Sequence, residues 1–110
     1  MKQTLVIDFT RTFVDARPAL YARTSKDAIA KLHANEGKIG AIWMDNNLGP
    51  ADSTKAILDY LSLRSKIGSK YPVNVIFVHA PDEAGWQILE AKLKANGYRV
   101  QRGTIRDTLG

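Results

Sequence analysis

Three residues whose side chains can bind a metal ion or carry a proton each follow a short apolar run of the sequence. Asp8 follows Leu-Val-Ile, Asp45 follows Ala-Ile-Trp-Met, and His79 follows Val-Ile-Phe-Val. If these runs are neighbouring parallel strands, the three side chains meet at one edge of one sheet. That edge, outside the carboxyl ends of the strands, is where open α/β sheets bind ligands. The sequence therefore predicts a functional site there.

The two aspartates are candidate ligands for Mg²⁺ or Mn²⁺. Hard cations of this kind prefer carboxylate oxygens and often keep water or phosphate in their remaining positions. Asn47, two residues beyond Asp45, is a third candidate, through its side-chain carbonyl. The alternative is that Asp8 and Asp45 only stabilise the turns that follow the strands, as Asp often does.

His79 is the candidate acid or base, because the pKa of a free histidine is about 6.5. We predict catalytic roles for His79 and Asp45. Arg102, at the end of the last predicted strand, is a candidate for stabilising phosphate charge, and Asn46 is a second candidate for contacting substrate. The alternative for His79 is a packed histidine at a strand end.

The order of elements predicts a single α/β domain over residues 1–110. Apolar runs predict strands at 4–8, 20–23, 39–44, 73–78 and 98–102, with a loop at 9–18. Helices are predicted to begin at Thr24 or Ser25, at Asp52 or Ser53, and at Pro81, and to end before Gly37, Gly68 and Gly97. This alternation predicts a parallel sheet with helices on both faces. The flavodoxin-like strand order 2-1-3-4-5 is one of two common solutions, and it makes the strands that end at Asp8 and Asp45 neighbours.

Composition bounds the class of protein. With 110 residues, of which 45% are hydrophobic, the chain is expected to form one core. The sequence contains no run of about 18 apolar residues, so no membrane span is predicted. No signal-peptide pattern is seen. Cysteine is absent, which excludes disulfides and thiolate sites and is compatible with the cytoplasmic location that we expect.

The formal net charge of +5 favours anionic partners, such as nucleic acid or phosphorylated ligands. Basic residues also keep a small protein soluble. A basic accessory protein that binds through its net charge is therefore a further hypothesis. The sequence contains no phosphate-loop, dinucleotide or zinc motif.

Three segments resemble the cyclic-phosphate-processing receiver-like family. Residues 44–49, Met-Asp-Asn-Asn-Leu-Gly, resemble its Leu-Asp-His-Asp-Leu-Gly signature. Residues 22–24, Ala-Arg-Thr, followed by Ala28, resemble its entry into the first helix. Residues 78–85, Val-His-Ala-Pro-Asp-Glu-Ala-Gly, resemble its His-Ser-x-Asn-x-x-Gly segment. The three segments occur in the same order and at similar spacing as in the family, across nearly the whole chain.

The resemblance implies a three-layer receiver-like fold and metal-assisted action on cyclic or terminal phosphates of RNA or nucleotides. Carried over by position, Asp8, Asp45 and His79 are the active-site candidates, with Asn47 beside them. The expected partner is a phosphate-bearing nucleotide or RNA end.

The chain also departs from the family pattern. Asn47 stands where the signature has its second acid, Asn46 where it has histidine, and Ala80 where it has serine. Phe9 follows Asp8 where an acidic pair is expected. These departures favour the alternative of a catalytically inactive receiver-like module that binds a protein or nucleic acid.

Overall fold

Five short apolar runs form a parallel sheet in the computed structural model, which describes residues 2–80, 83–103 and 108–110. The strands are β1 Gln3–Ile7, β2 Leu20–Ala22, β3 Ile39–Asp45, β4 Val75–His79 and β5 Val100–Arg102. They lie in the order β2-β1-β3-β4-β5 and pair in parallel throughout. The predicted α/β class and flavodoxin-like strand order are confirmed.

Three helices connect the strands: α1 Ser25–Ala34, α2 Lys55–Lys66 and α3 Glu83–Ala95. Thr24 caps α1, as predicted, and its hydroxyl accepts a hydrogen bond from the Asp27 backbone N–H at 3.0 Å. The prediction for the start of α2 was wrong, because α2 begins after Thr54. Asp52 instead accepts hydrogen bonds from Ser25 at the start of α1. The predicted start of the third helix at Pro81 lies outside the described residues.

All three helices pack on the same face of the sheet. The connections through α1, α2 and α3 all advance in one direction along the sheet, and right-handed crossovers then place every helix on one side. The helices bury these residues in a single core with the sheet: Ala28, Leu32, Ile57, Leu58, Leu61, Leu89 and Leu93. Ile67, predicted in the apolar stripe of α2, is 62% exposed, because it lies just beyond the last helical residue.

The opposite face is covered, among the described residues, by irregular chain rather than by the helices that the sequence predicted there. The loop after β1 and residues 108–110 meet over Val6, and Phe13 pairs with Leu109 in an antiparallel bridge. Thr12 and Gly110 exchange two backbone hydrogen bonds of 3.1 and 2.9 Å. These contacts with residues 108–110 therefore fix the path of the loop after β1.

Within the described residues, no helix is both long and apolar enough to cross a membrane.

We expect Leu109→Ala to destabilise the protein, since Leu109 is 3% exposed and packs with Phe13 and Val6 on the second face. Removing a buried leucine side chain should lower the free energy of unfolding by about 2 kcal/mol or more. Urea unfolding measures this. Val14→Ala is the control: Val14 lies in the same loop but is 58% exposed, so its loss should cost within about 0.5 kcal/mol. Equal effects of the two changes would contradict a covered second face.

Candidate metal centre

Asp8, Asp45 and His79 meet at the carboxyl edge of the sheet, as the sequence predicted. Asp45 and His79 are register partners on the adjacent strands β3 and β4, and Asp8 directly follows β1, on the other side of β3. One ligand atom from each of the three residues lies within 4.8 Å of the others. All three residues are buried, with exposures of 1%, 6% and 1%.

Both carboxylate oxygens of Asp8 accept hydrogen bonds. Oδ1 accepts from the backbone N–H groups of Thr10 and Arg11, each at 3.0 Å, and Oδ2 lies 3.0 Å from His79 Nε2. Burial acts to raise the pKa of Asp8, but these hydrogen bonds outweigh it and lower the pKa from 3.8 to about 2. Asp8 is therefore ionised at neutral pH.

The negative charge of Asp45 is less well compensated than that of Asp8. Its Oδ1 accepts from the Asn47 backbone N–H at 3.1 Å, while its Oδ2 lies 3.8 Å from His79 Nε2. Burial raises the pKa of Asp45, and the nearby charge of Asp8 adds to the rise, against the opposing influence of His79 and Arg11. Ionising Asp45 in the folded protein thus costs free energy unless a further cation lies close by.

Arg11 supplies a positive charge to both carboxylates. Its Nη1 lies 3.3 Å from Asp45 Oδ2 and 3.6 Å from Asp8 Oδ2. Sequence analysis missed this residue, because it lies in a loop without periodicity. The only signal was its position three residues after a strand-end aspartate. Arg23 Nη1 holds the loop in place by donating to the carbonyl groups of Asp8 and Arg11 at 3.2 and 2.5 Å.

His79 fits the role of a nitrogen ligand at this edge. Its Nε2 faces the two carboxylates, and its Nδ1 is buried with no hydrogen-bond partner among the described residues. Buried polar atoms are usually paired, so this imidazole is placed at a cost to stability. Two carboxylates and an imidazole suit Mn²⁺ better than Mg²⁺, because imidazole is a softer ligand than the oxygen donors that Mg²⁺ prefers.

The two asparagines of the β3–α2 loop have different surroundings. The exposed Asn47 uses Oδ1 to accept from the Gly49 backbone N–H at 3.0 Å, so the oxygen predicted as a metal ligand shapes the loop. Asn46 donates its backbone N–H to the His79 carbonyl at 3.3 Å, and it lines a small cavity of about 230 Å³. Asn46 is thus next to the cluster.

Arg102 is not brought to the cluster. Its guanidinium donates to Glu90 at 2.6 Å and to both carboxylate oxygens of Glu83 at 2.8 Å. It also stacks on the Trp86 ring, 4.7 Å from the centroid. All of these partners belong to α3. Among the described residues, Arg11 rather than Arg102 is the cation that lies beside the two aspartates.

No family model matches the chain, and no curated protein or solved structure is significantly similar to it. The resemblance to the receiver-like family therefore stays a prediction carried by the three segments that resemble it.

We expect charge removal at the two aspartates to change stability in opposite directions. The lowered pKa of Asp8 stabilises the fold above about pH 4 and is lost as pH falls towards the folded-state value of about 2. Asp8→Asn should therefore cost about 2 kcal/mol at neutral pH. The raised pKa of Asp45 has the opposite sign, because its ionised form opposes folding at neutral pH. Asp45→Asn should stabilise the metal-free protein, by less as pH falls.

Urea unfolding with a chelator present, at neutral and mildly acidic pH, measures both changes. Asp59→Asn is the control, since Asp59 is exposed and forms an ion pair with the neighbouring Lys55 on α2. It should shift stability by no more than about 1 kcal/mol. Destabilisation by Asp45→Asn at neutral pH would contradict the electrostatic account of the cluster.

Proposed function

We propose that the chain is a metal-assisted phosphoesterase that acts on cyclic or terminal phosphates of RNA or nucleotides. Asp8, Asp45 and His79 hold the divalent cation, with Mn²⁺ preferred to Mg²⁺. The observation that carries the proposal is the convergence of two carboxylates and one imidazole within 4.8 Å at the buried carboxyl edge of the sheet. This edge is the usual ligand site of open α/β sheets.

Arg11 is the group that we assign to the substrate phosphate. Its side chain is 39% exposed and reaches both carboxylates, so it lies between the buried cluster and solvent. A bound cation replaces its charge at the carboxylates and leaves the guanidinium free for phosphate oxygens, which it binds in bidentate geometry.

The reaction proposed is hydrolysis of a phosphoester. The oxygen of a water molecule bonds to phosphorus, the bond from phosphorus to one ribose oxygen breaks, and that oxygen gains a proton from the water. A 2′,3′-cyclic phosphate thus becomes a monoester. A metal held by Asp8, Asp45 and His79 would supply charge neutralisation and lower the pKa of water, and Arg11 would stabilise negative charge on the phosphoryl oxygens.

We expect turnover of an RNA oligonucleotide with a 2′,3′-cyclic phosphate to require Mn²⁺ and to be lost in Asp45→Asn, since one of the two carboxylate ligands is gone. Arg11→Ala should keep the Mn²⁺-induced rise in Tm but lower turnover about 100-fold. Chromatography of the RNA ends measures turnover, and thermal unfolding measures metal binding.

Arg102→Ala is the matched control, because the sequence predicted phosphate contact for Arg102 while the structure pairs it with Glu83 and Glu90. Its turnover should equal that of the wild type. Loss of turnover in Arg102→Ala, with full turnover in Arg11→Ala, would restore the prediction from sequence and remove Arg11 from the site.

A separate substitution distinguishes two roles for His79. If it is a ligand, His79→Gln should lower both the Mn²⁺-induced rise in Tm and turnover, because an imidazole donor is lost from the cluster. If it transfers a proton, as the sequence predicted, turnover alone should fall. We expect the first result, because His79 Nε2 lies with the carboxylate oxygens and the residue is only 1% exposed.

One observation favours the alternative of an inactive receiver-like module that binds a protein or nucleic acid. Arg11 already lies 3.3 and 3.6 Å from the two carboxylates, so their charge is partly compensated without a metal. The alternative predicts no change in Tm at millimolar Mn²⁺ and no turnover by the folded protein. Capture of a partner is then the next experiment.

A further inference from the structure

A cleft is lined by the beginning of the loop after β1, the beginning of α1 and the loop from β3 to α2. Its volume is about 450 Å³, within the range of small-molecule sites, about 300–1,000 Å³. Phe9 and Leu48 contribute to its wall. Phe9 directly follows Asp8, and Leu48 comes three residues after Asp45. The same two loops therefore build both the cluster and the cleft.

Phe9 presents an aromatic ring to solvent at this cleft. The ring lies against the backbone of Gly49, where any Cβ would come within 3.0 Å of it. Gly49 has a φ of +95°, a conformation that favours glycine. Although it packs on Gly49, Phe9 is 48% exposed. Asp8, which precedes it, accepts two backbone N–H groups from the residues that follow. The backbone that carries the ring is thus fixed while much of the ring stays in water, as in a stacking platform.

The rest of the cleft wall includes one acid and one base, Asp52 and Lys26. Asp52 accepts from the backbone N–H and the hydroxyl of Ser25, each at 2.7 Å. This carboxylate already compensates the N-terminus of α1, so a phosphate there would meet like charge. A neutral group with N–H donors suits Asp52, and the exposed Lys26 beside it can donate to an acceptor. The wall therefore selects a flat, neutral group with both donors and acceptors.

We propose that this cleft binds the nucleobase of the substrate, stacked on Phe9, with an N–H edge of the base towards Asp52. A nucleobase is planar and neutral and carries donors and acceptors on its edge, as the cleft wall requires. The assignment rests on the proposed phosphoesterase function for the place of the phosphate, and it makes the substrate a nucleotide or a nucleotide-terminated RNA. The phosphate lies at Arg11 and the cluster, and the base lies over the loop that begins at Phe9.

Kinetics with and without a base test this subsite. Guanosine 2′,3′-cyclic phosphate, whose base offers two N–H donors, is compared with methyl riboside 2′,3′-cyclic phosphate, which has no base. Phe9→Ala should raise KM for the guanosine substrate about tenfold, the effect of losing one stacked base, with kcat unchanged. It should leave KM for the base-free substrate as it was. Val14→Ala, at an exposed position of the same loop, should change neither. Equal KM values of the two substrates with the wild type would overturn the proposal.

Binding of guanosine alone separates the failure of this proposal from failure of the phosphoesterase. Calorimetric titration of the metal-free protein should show binding by the wild type and by Asp45→Asn, and binding about tenfold weaker by Phe9→Ala. If guanosine binds in this way but no substrate turns over, the base subsite stands and the catalytic proposal falls. If guanosine does not bind, or binds Phe9→Ala as tightly as the wild type, the subsite is overturned whatever the turnover.

Discussion

Burial of two carboxylates at the end of a parallel sheet is the constraint on which the rest of this structure depends. Asp8 satisfies it by accepting two backbone N–H groups and a contact from His79, and those bonds turn the chain sharply after β1. The turn places Arg11 over both carboxylates. Arg23, just after β2, then closes the network on the carbonyl groups of Asp8 and Arg11. One buried charge thus determines the first turn of a loop that has no regular structure of its own.

The fold was predictable because its signals are local. Strand ends are marked by apolar runs that stop at Asp or His. Helix ends are marked by glycines with positive φ, such as Gly68. Within the described residues no helix covers the second face, which follows from the predicted strand order and right-handed crossovers, but the chain that covers this face instead was not predictable from local signals. The loop after β1 covers it, and its residue Phe13 is held by pairing with Leu109. The two residues are 96 positions apart, and such a contact has no signal in local periodicity.

The candidate site was only half predictable, for a related reason. The backbone fixes where Asp8, Asp45 and His79 lie, since each stands at a strand end, and strand order brings the ends together. Arginine side chains are long, and their guanidinium groups pair with the carboxylates within their reach. Arg102 stands at a strand end too, but Glu83 and Glu90 on α3 hold it. Arg11, in a loop, reaches the cluster instead. Sequence position predicts the carboxylates, whereas the arginines depend on the finished tertiary structure.

Arg11 also explains how a buried acidic cluster can be both stable and available to a ligand. Without a cation Asp45 would be ionised at a cost, which its raised pKa reflects. Arg11 lowers this cost from a loop, with a side chain that is 39% exposed. In the proposed function, a divalent ion at the same carboxylates would carry more charge than the guanidinium that it displaces. In that function, this exchange would free a phosphate-binding group beside the half-exposed ring of Phe9. Under that proposal, one side chain would compensate charge in the free protein and bind substrate in the metal-loaded protein.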